Sequence, residues 1–173
     1  GNPKTYVYPN IKARKFTFDA SNVLATFPPL KESSDTTYLM MIAHYDSRYP
    51  WKFINDTVTS KGASDDGYGL GVILECVHQA LKYRESWNQG IKVLFTDAEE
   101  VDLQGMKAAY KYNKEIFNDV GLILNIESRG PFGPVLLFET SPRNEQLVKL
   151  YANHARYPFA YSIMNMVYQK MPN

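Results

Sequence analysis

Apolar residues recur along this chain with two different periods, and the changes from one to the other mark out alternating strands and helices. Tyr38-Leu39-Met40-Met41-Ile42-Ala43 is a continuous apolar run of strand length, the pattern of a strand covered on both faces. From Gly67 the period lengthens. Leu70, Ile73, Leu74, Val77 and Leu81 fall on one stripe of an amphipathic helix that ends near Tyr83. Ile91–Thr96 is a second apolar strand, Gln104–Ile116 a second helix and Val120–Ile126 a third strand. Val135–Phe138 reads as a further strand. Asn144–Arg156 reads as a helix whose stripe is Leu147, Leu150, Tyr151 and His154. Before the first of these runs, Thr5–Phe27 mixes aromatic and polar residues with little helical periodicity, and Asn22–Phe27 suits an outer strand running into a turn at Pro28-Pro29. The alternation predicts the α/β class: a three-layer αβα sandwich with a mostly parallel central sheet. No repeat, low-complexity tract or interdomain linker interrupts it, so residues 1–173 are expected to form a single domain.

Composition narrows the function classes. The chain has 173 residues, of which 45% are hydrophobic and 21% charged, with a formal charge of +1, which suits a globular domain with a sizeable core. Without a cluster of Lys and Arg it has no electrostatic footprint for nucleic acid. No stretch approaches the ~18–20 apolar residues that span a bilayer, and the N-terminus lacks a charged-then-apolar signal pattern. If the parent protein is extracytoplasmic or membrane-associated, those segments lie elsewhere. Cys76 is the one cysteine, which excludes a disulfide within the chain, and its place in the helical pattern suggests a buried thiol.

Four short stretches carry chemistry: Ala43-His44-Tyr45-Asp46-Ser47, Gly62-Ala63-Ser64-Asp65-Asp66-Gly67, Asp97-Ala98-Glu99-Glu100 and Asn125-Ile126-Glu127. Three follow on apolar strand runs. In open α/β sheets the connections leaving the carboxyl ends of strands line a shared crevice, so His44, Glu99, Glu100 and Glu127 are expected to meet there. Asp65 joins them from a loop at a helix amino end, where the helix dipole favours an acid. A mixed imidazole and carboxylate set suits zinc, whereas an all-oxygen cage suits calcium or magnesium. Crowded carboxylates also repel strongly without a cation.

Taken together, His-x-Asp, Gly-Ala-Ser-Asp-Asp-Gly, the Glu-Glu pair and Asn-Ile-Glu resemble, in order and spacing, the M28 family of zinc metallopeptidases. Glu at the fourth motif is most similar to the branch that contains the endoplasmic reticulum metallopeptidase and its vacuolar and bacterial relatives. The resemblance implies a zinc exopeptidase-like fold and an exopeptidase, foremost an aminopeptidase, acting on peptide substrates with two Zn²⁺ in a complete site. It makes His44 a ligand of the first zinc, Asp65 the bridging carboxylate, Glu100 a ligand of the second zinc and Glu127 a ligand of the first. Glu99 becomes the general base. Asp46 becomes the acid that orients His44 by accepting its other N–H. Asp66 resembles the residue joined to the bridging Asp by a cis peptide bond. Family members supply a further histidine ligand near the carboxyl end of the domain. This chain stops before it, so the domain is expected to be truncated at its C-terminus, with one or no zinc held.

His154 on an apolar stripe reads as a satisfied core residue, and His78 as a surface or boundary residue. Neighbouring His44, Asp46 and Ser47 cannot form a Ser–His–Asp relay, and no Gly-x-Ser-x-Gly elbow exists. Gly67, Gly69 and Gly71 follow two acids that would repel phosphate, so they suit close backbone packing. The numerous Tyr and Phe read as core and pocket walls. Arg129 suits either a substrate carboxylate or a salt bridge. Two rivals to the peptidase are a glutaminyl-cyclase-like transferase with a single zinc, against which Asp66 argues, and a metal-free binding module of the same fold.

Overall fold

The computed structural model describes residues 2–32, 34, 37–48, 51–53, 56–58, 60–128, 132–168 and 170. Two compact units are present, Gly1–Arg129 and Gly130–Asn173.

In the first unit a five-stranded sheet has the order β1-β2-β6-β3-β7, with β1 Lys4–Ala13, β2 Phe16–Phe27, β3 Tyr38–His44, β6 Gly90–Thr96 and β7 Val120–Asn125. A separate antiparallel pair is formed by β4 (Trp51–Phe53) and β5 (Asp56–Val58). Helix α1 spans Gly67–Leu81 and α2 spans Gln104–Tyr112. Strands β6, β3 and β7 are parallel, and β1 and β2 extend this sheet as an antiparallel hairpin beside β6. The connection through α1 moves from β3 to β6. The connection through α2 then returns across β3 to β7. Crossovers share one hand, so these opposite moves place the two helices on opposite faces.

The period of two along each strand accounts for the layering. Met40 and Ile42 face the α2 side, clustering with Ala20, Leu24, Leu94, Ala108, Ala109 and Ile116. Met41 and Ala43 face the α1 side, with Val93, Ile73 and Val77. A continuous apolar run on β3 is therefore what a strand sandwiched between two helices requires. Burying a side chain such as Ile73 contributes about 1.5–3 kcal/mol.

Several expectations from the sequence are corrected. Asn22–Phe27 is strand as expected but belongs to the longer β2, which lies between β1 and β6 rather than at the edge; the hairpin turns at Arg14, whose φ is 52°, and a register shift between Tyr8 and Ile11 breaks the alternation that would have signalled β1. The second helix ends at Tyr112, and Lys114–Phe117 forms a tighter 3-10 turn. Cys76 is exposed, and Leu74 is 59% exposed, because the buried line of α1 runs through Gly69, Ile73 and Val77. Tyr83, Tyr110 and Tyr112 are exposed rather than core.

The second unit contains α3 (Glu145–His154) and α4 (Ile163–Tyr168). The strand expected at Val135–Phe138 is reduced to one parallel bridge, Leu137 with Ala160, in a segment that opens with Pro134, which has no N–H to donate. The Tyr151 hydroxyl accepts the Phe159 N–H at 2.8 Å, and the Phe159 and Tyr161 rings meet edge to face at 5.0 Å. His154 is exposed, not core. Its Nδ1 donates to the Leu150 carbonyl at 2.9 Å, so the ring folds back on its own helix. Among the described residues no helix is long and apolar enough to cross a membrane. Arg129 lies outside the described residues.

Candidate metal centre

The site is built where β3, β6 and β7 end side by side. The register pairs His44 with Thr96 and Ile42 with Asn125, so the residues that follow each strand emerge at one edge. His44 closes β3 and is buried. Its Nδ1 donates to the main-chain carbonyl of Asp46 at 3.0 Å, and the Asp46 carboxylate lies 3.4 Å away. The nearer acceptor is thus the peptide oxygen rather than the side chain expected from the sequence. Either way Nε2 is left pointing outward.

Nε2 meets two acids. Asp65 Oδ1 lies 2.9 Å from it and Glu127 Oε1 3.7 Å. One ligand atom from each of His44, Asp65 and Glu127 falls within 4.8 Å of the others, and these three form the metal-capable group found among the described residues. One imidazole nitrogen and two carboxylate oxygens match the three-ligand sets that zinc accepts while keeping a position open, so the donors present fit that ion. The carboxylates also act on the imidazole. Burial alone would lower its pKa, but hydrogen bonds to Asp46, Glu127 and Asp65 outweigh it and push it up to about 11.

Asp65 is delivered by a loop locked at the mouth of α1. The Asp65–Asp66 peptide bond is cis. Gly67 N–H donates to the Gly62 carbonyl at 2.7 Å, and a Cβ on Gly67 would stand 2.6 Å from that oxygen, so only glycine permits the approach. Asp66 is 1% exposed and caps α1, Oδ1 accepting the Gly69 N–H at 3.0 Å, while Oδ2 is buried without a hydrogen-bond partner among the described residues. Burial, opposed by the Gly69 bond and reinforced by the Glu127 charge, pushes the Asp66 pKa up to about 6. Of the three glycines read as packing positions, Gly71 instead faces open space. Across the site, the Ser64 and Ser128 hydroxyls are 2.9 Å apart and tie the Asp65 loop to the Glu127 loop.

Glu99 and Glu100 sit in a turn after β6 that is anchored from two sides. On the site side the Asp46 carboxylate accepts the N–H groups of Glu99 at 3.0 Å and Glu100 at 3.2 Å. Those bonds, with the His44 contact, hold the Asp46 pKa below the usual carboxylate range although burial acts the other way. On the sheet side stands Asn22, fully buried on β2, which sequence reading passed over as a strand residue. Its amide donates to the Gly105 carbonyl at 2.8 Å and accepts the Asp97 N–H at 3.1 Å. A polar side chain amid apolar strand neighbours was the available signal.

The two glutamates differ. Glu99 is half-buried, and burial first, then the charges of Glu127, Glu100 and Asp46, against the pull of His44, push its pKa up to about 7. Glu100 stands apart from the His44, Asp65 and Glu127 group. Its Oε2 accepts from Arg48 Nε at 3.1 Å. Arg48 was not singled out from the sequence.

Comparison with known proteins gives the family. Residues 22–172 match the model of "Peptidase family M28". The endoplasmic reticulum metallopeptidase 1 of Rattus norvegicus is 28% identical over 155 residues, covering 89% of this chain. The chain spans only 16% of that protein's length. A glutaminyl cyclase from Bacteroides thetaiotaomicron superposes with a TM-score of 0.68 at 19% identity, covering 92% of this chain and 62% of that one. A leucine aminopeptidase precursor from the same organism gives 0.66 at 18% identity, covering 92% and 63%. At these identities the two structures establish a shared fold.

Proposed function

Since this chain belongs to peptidase family M28, we propose that it carries the metal centre of a zinc-dependent exopeptidase, most simply an aminopeptidase, that hydrolyses peptide bonds. The observation that carries this reading is the convergence of His44, Asp65 and Glu127 within 4.8 Å, with half-buried Glu99 in the neighbouring turn. The fold is shared with a leucine aminopeptidase precursor and a glutaminyl cyclase alike, so support for the peptidase class comes from the M28 family.

His44 Nε2 and the carboxylates of Asp65 and Glu127 would hold the ion, and Glu100 is the proposed ligand of a second. A bound zinc supplies polarisation of the scissile carbonyl and lowers the pKa of a water to about 7. Everything else falls to the chain's own residues. The Asp46 carbonyl fixes the His44 ring through Nδ1, so Nε2 is already aimed and would give up its proton to take the ion. Glu99, with a pKa near 7, is suited to take a proton from the attacking water on its carboxylate and return it to the leaving amine nitrogen. Asp46 keeps that carboxylate in register by holding the Glu99 N–H. A parent protein that is extracytoplasmic or membrane-associated would be in keeping with a relative named for the endoplasmic reticulum.

One observation favours a second reading, a single-zinc glutaminyl-cyclase-like transferase: the metal-capable group has three members and excludes Glu100. The test is zinc quantification on the full-length protein, combined with assays for amino-acid release from peptides and for pyroglutamate formation from peptides with amino-terminal glutamine. Amino-acid release supports the peptidase. Pyroglutamate formation alone, or a protein that retains no zinc, overturns it.

A further inference from the structure

The turn that carries Glu99 is wound against the preference of its residues. Among the described residues six non-glycine residues have a φ in the left-handed region, and three of them lie in this one turn: Ala98 at 54°, Asp102 at 70° and Leu103 at 57°. Aspartate tolerates that conformation. In Ala98 and Leu103 the Cβ crowds a carbonyl oxygen, so the surroundings must hold the turn in shape. A helix cap does not do this, because Leu103 stands at the N-cap of α2 and carries no side-chain oxygen to accept an N–H.

Arg14 does it instead, from the turn between β1 and β2. Its Nε donates to Asp102 Oδ2 at 3.1 Å and its Nη2 to Oδ1 at 2.7 Å, a two-pronged grip that sets angle as well as distance. The constraint then passes to Glu99, since the N–H that follows Asp102, that of Leu103, donates to the Glu99 carbonyl at 2.9 Å. The main chain of Glu99 is thereby held at both ends. Asp46 takes its N–H, and a turn pinned by Arg14 takes its carbonyl.

We propose that Arg14 is a positioning residue for Glu99, acting through Asp102 and Leu103 to set where the Glu99 carboxylate stands beside the metal centre. The inference rests on the reading of Glu99 as the proton acceptor and deepens it. The Arg14 side chain is 46% exposed and that of Asp102 34%, and a partly solvated pair adds little to overall stability. Its loss should loosen the turn without unfolding the chain. Proton transfer is more demanding, because a displacement of about 1 Å at a reacting group can cost as much as 10²-fold in rate.

Steady-state kinetics of amino-acid release by the full-length protein, by Arg14→Gln, by Asp102→Asn and by the double variant test this. Asparagine also accepts a left-handed φ, so Asp102→Asn removes the ion pair and keeps the backbone preference. Each single variant should lower kcat about ten-fold, with KM within about two-fold and zinc content unchanged. The double variant should lose no more than either single one, because both break the same contact. Deuterium uptake by residues 98–104 should quicken at least about three-fold in all three variants. An unchanged kcat or unchanged uptake in either single variant, losses that multiply in the double, or a loss confined to KM or zinc content overturns the role of Arg14 while the peptidase reading stands. Absence of amino-acid release by the unsubstituted protein overturns the peptidase reading and this proposal with it.

Discussion

Asp46 Oδ1 accepts the backbone N–H of Glu99 at 3.0 Å, across a sequence separation of 53 residues. Through this bond the loop after β3 holds the turn after β6, and the other carboxylate oxygen holds Glu100 in the same way. Hydrogen bonds to a charged acceptor contribute about 1.5–3 kcal/mol each. Asp46→Ala should therefore destabilise the chain by roughly 2–4 kcal/mol in urea denaturation and weaken zinc binding by up to about 10-fold, since the turn and the carboxylate's 3.4 Å contact with His44 are lost while the main-chain carbonyl still holds the ring. Because the folded Asp46 pKa lies below its unfolded value, this stabilisation is present above pH ~4 and is lost as pH falls through the folded value. Unchanged zinc affinity in the variant would show that Asp46 shapes neither element.

Glu99→Gln separates proton transfer from metal holding. In the full-length protein it should lower turnover by about 10²- to 10⁴-fold, with zinc content by atomic absorption unchanged. Comparable turnover at an intact metal complement would remove Glu99 from the base role.

For His44 the pH dependence follows from a pKa pushed up to about 11, above an unfolded value of about 6.5. Pairing of the imidazolium with Asp65, Glu127 and Asp46 contributes stability that is fully present below pH ~6.5 and is lost as pH rises through about 11. Zinc requires the neutral ring, so binding at pH 8 should expel close to one proton. Its apparent affinity should climb about ten-fold per pH unit until the folded ring deprotonates. Calorimetry at pH 8 in buffers of different ionisation enthalpy gives the count, and a value near zero would mean that the ring is already neutral. His44→Ala should lose the ion on dialysis.

Asn22 offers a test of the second anchor. Asn22→Ala leaves the buried Gly105 carbonyl and the part-buried Asp97 N–H without this partner, so it should cost roughly 1–3 kcal/mol. Equilibrium urea unfolding measures the loss, and a cost under about 0.5 kcal/mol would show that water or a rearrangement takes over.

The parts of this fold that were legible in the sequence are those whose burial is periodic. Tyr38–Ala43, Ile91–Thr96 and the line through Ile73 and Val77 are read correctly because each packs against layers on regular faces. Of the β1–β2 hairpin only Asn22–Phe27 was, since a register shift and an exposed face erase the alternation of β1. Leu74 and Cys76 mislead for a related reason: an apolar side chain near a buried line does not have to lie on it. At the site, strand ends announced His44, Glu99, Glu100 and Glu127, whereas the roles of Arg48 and Asn22 depend on partners at Glu100, Asp97 and Gly105 that spacing alone does not encode.

Strand β3 lies at the centre of the parallel strands, with β6 on one side and β7 on the other. A chain emerging from synthesis therefore has His44 long before it has a neighbour for it on the β7 side. The three donors come together only once the segment up to Glu127 has docked, a high contact order that slows assembly. Zinc uptake would thus mark completion of the sheet, and a chelator present during refolding should leave the last strand less stably docked without slowing the first.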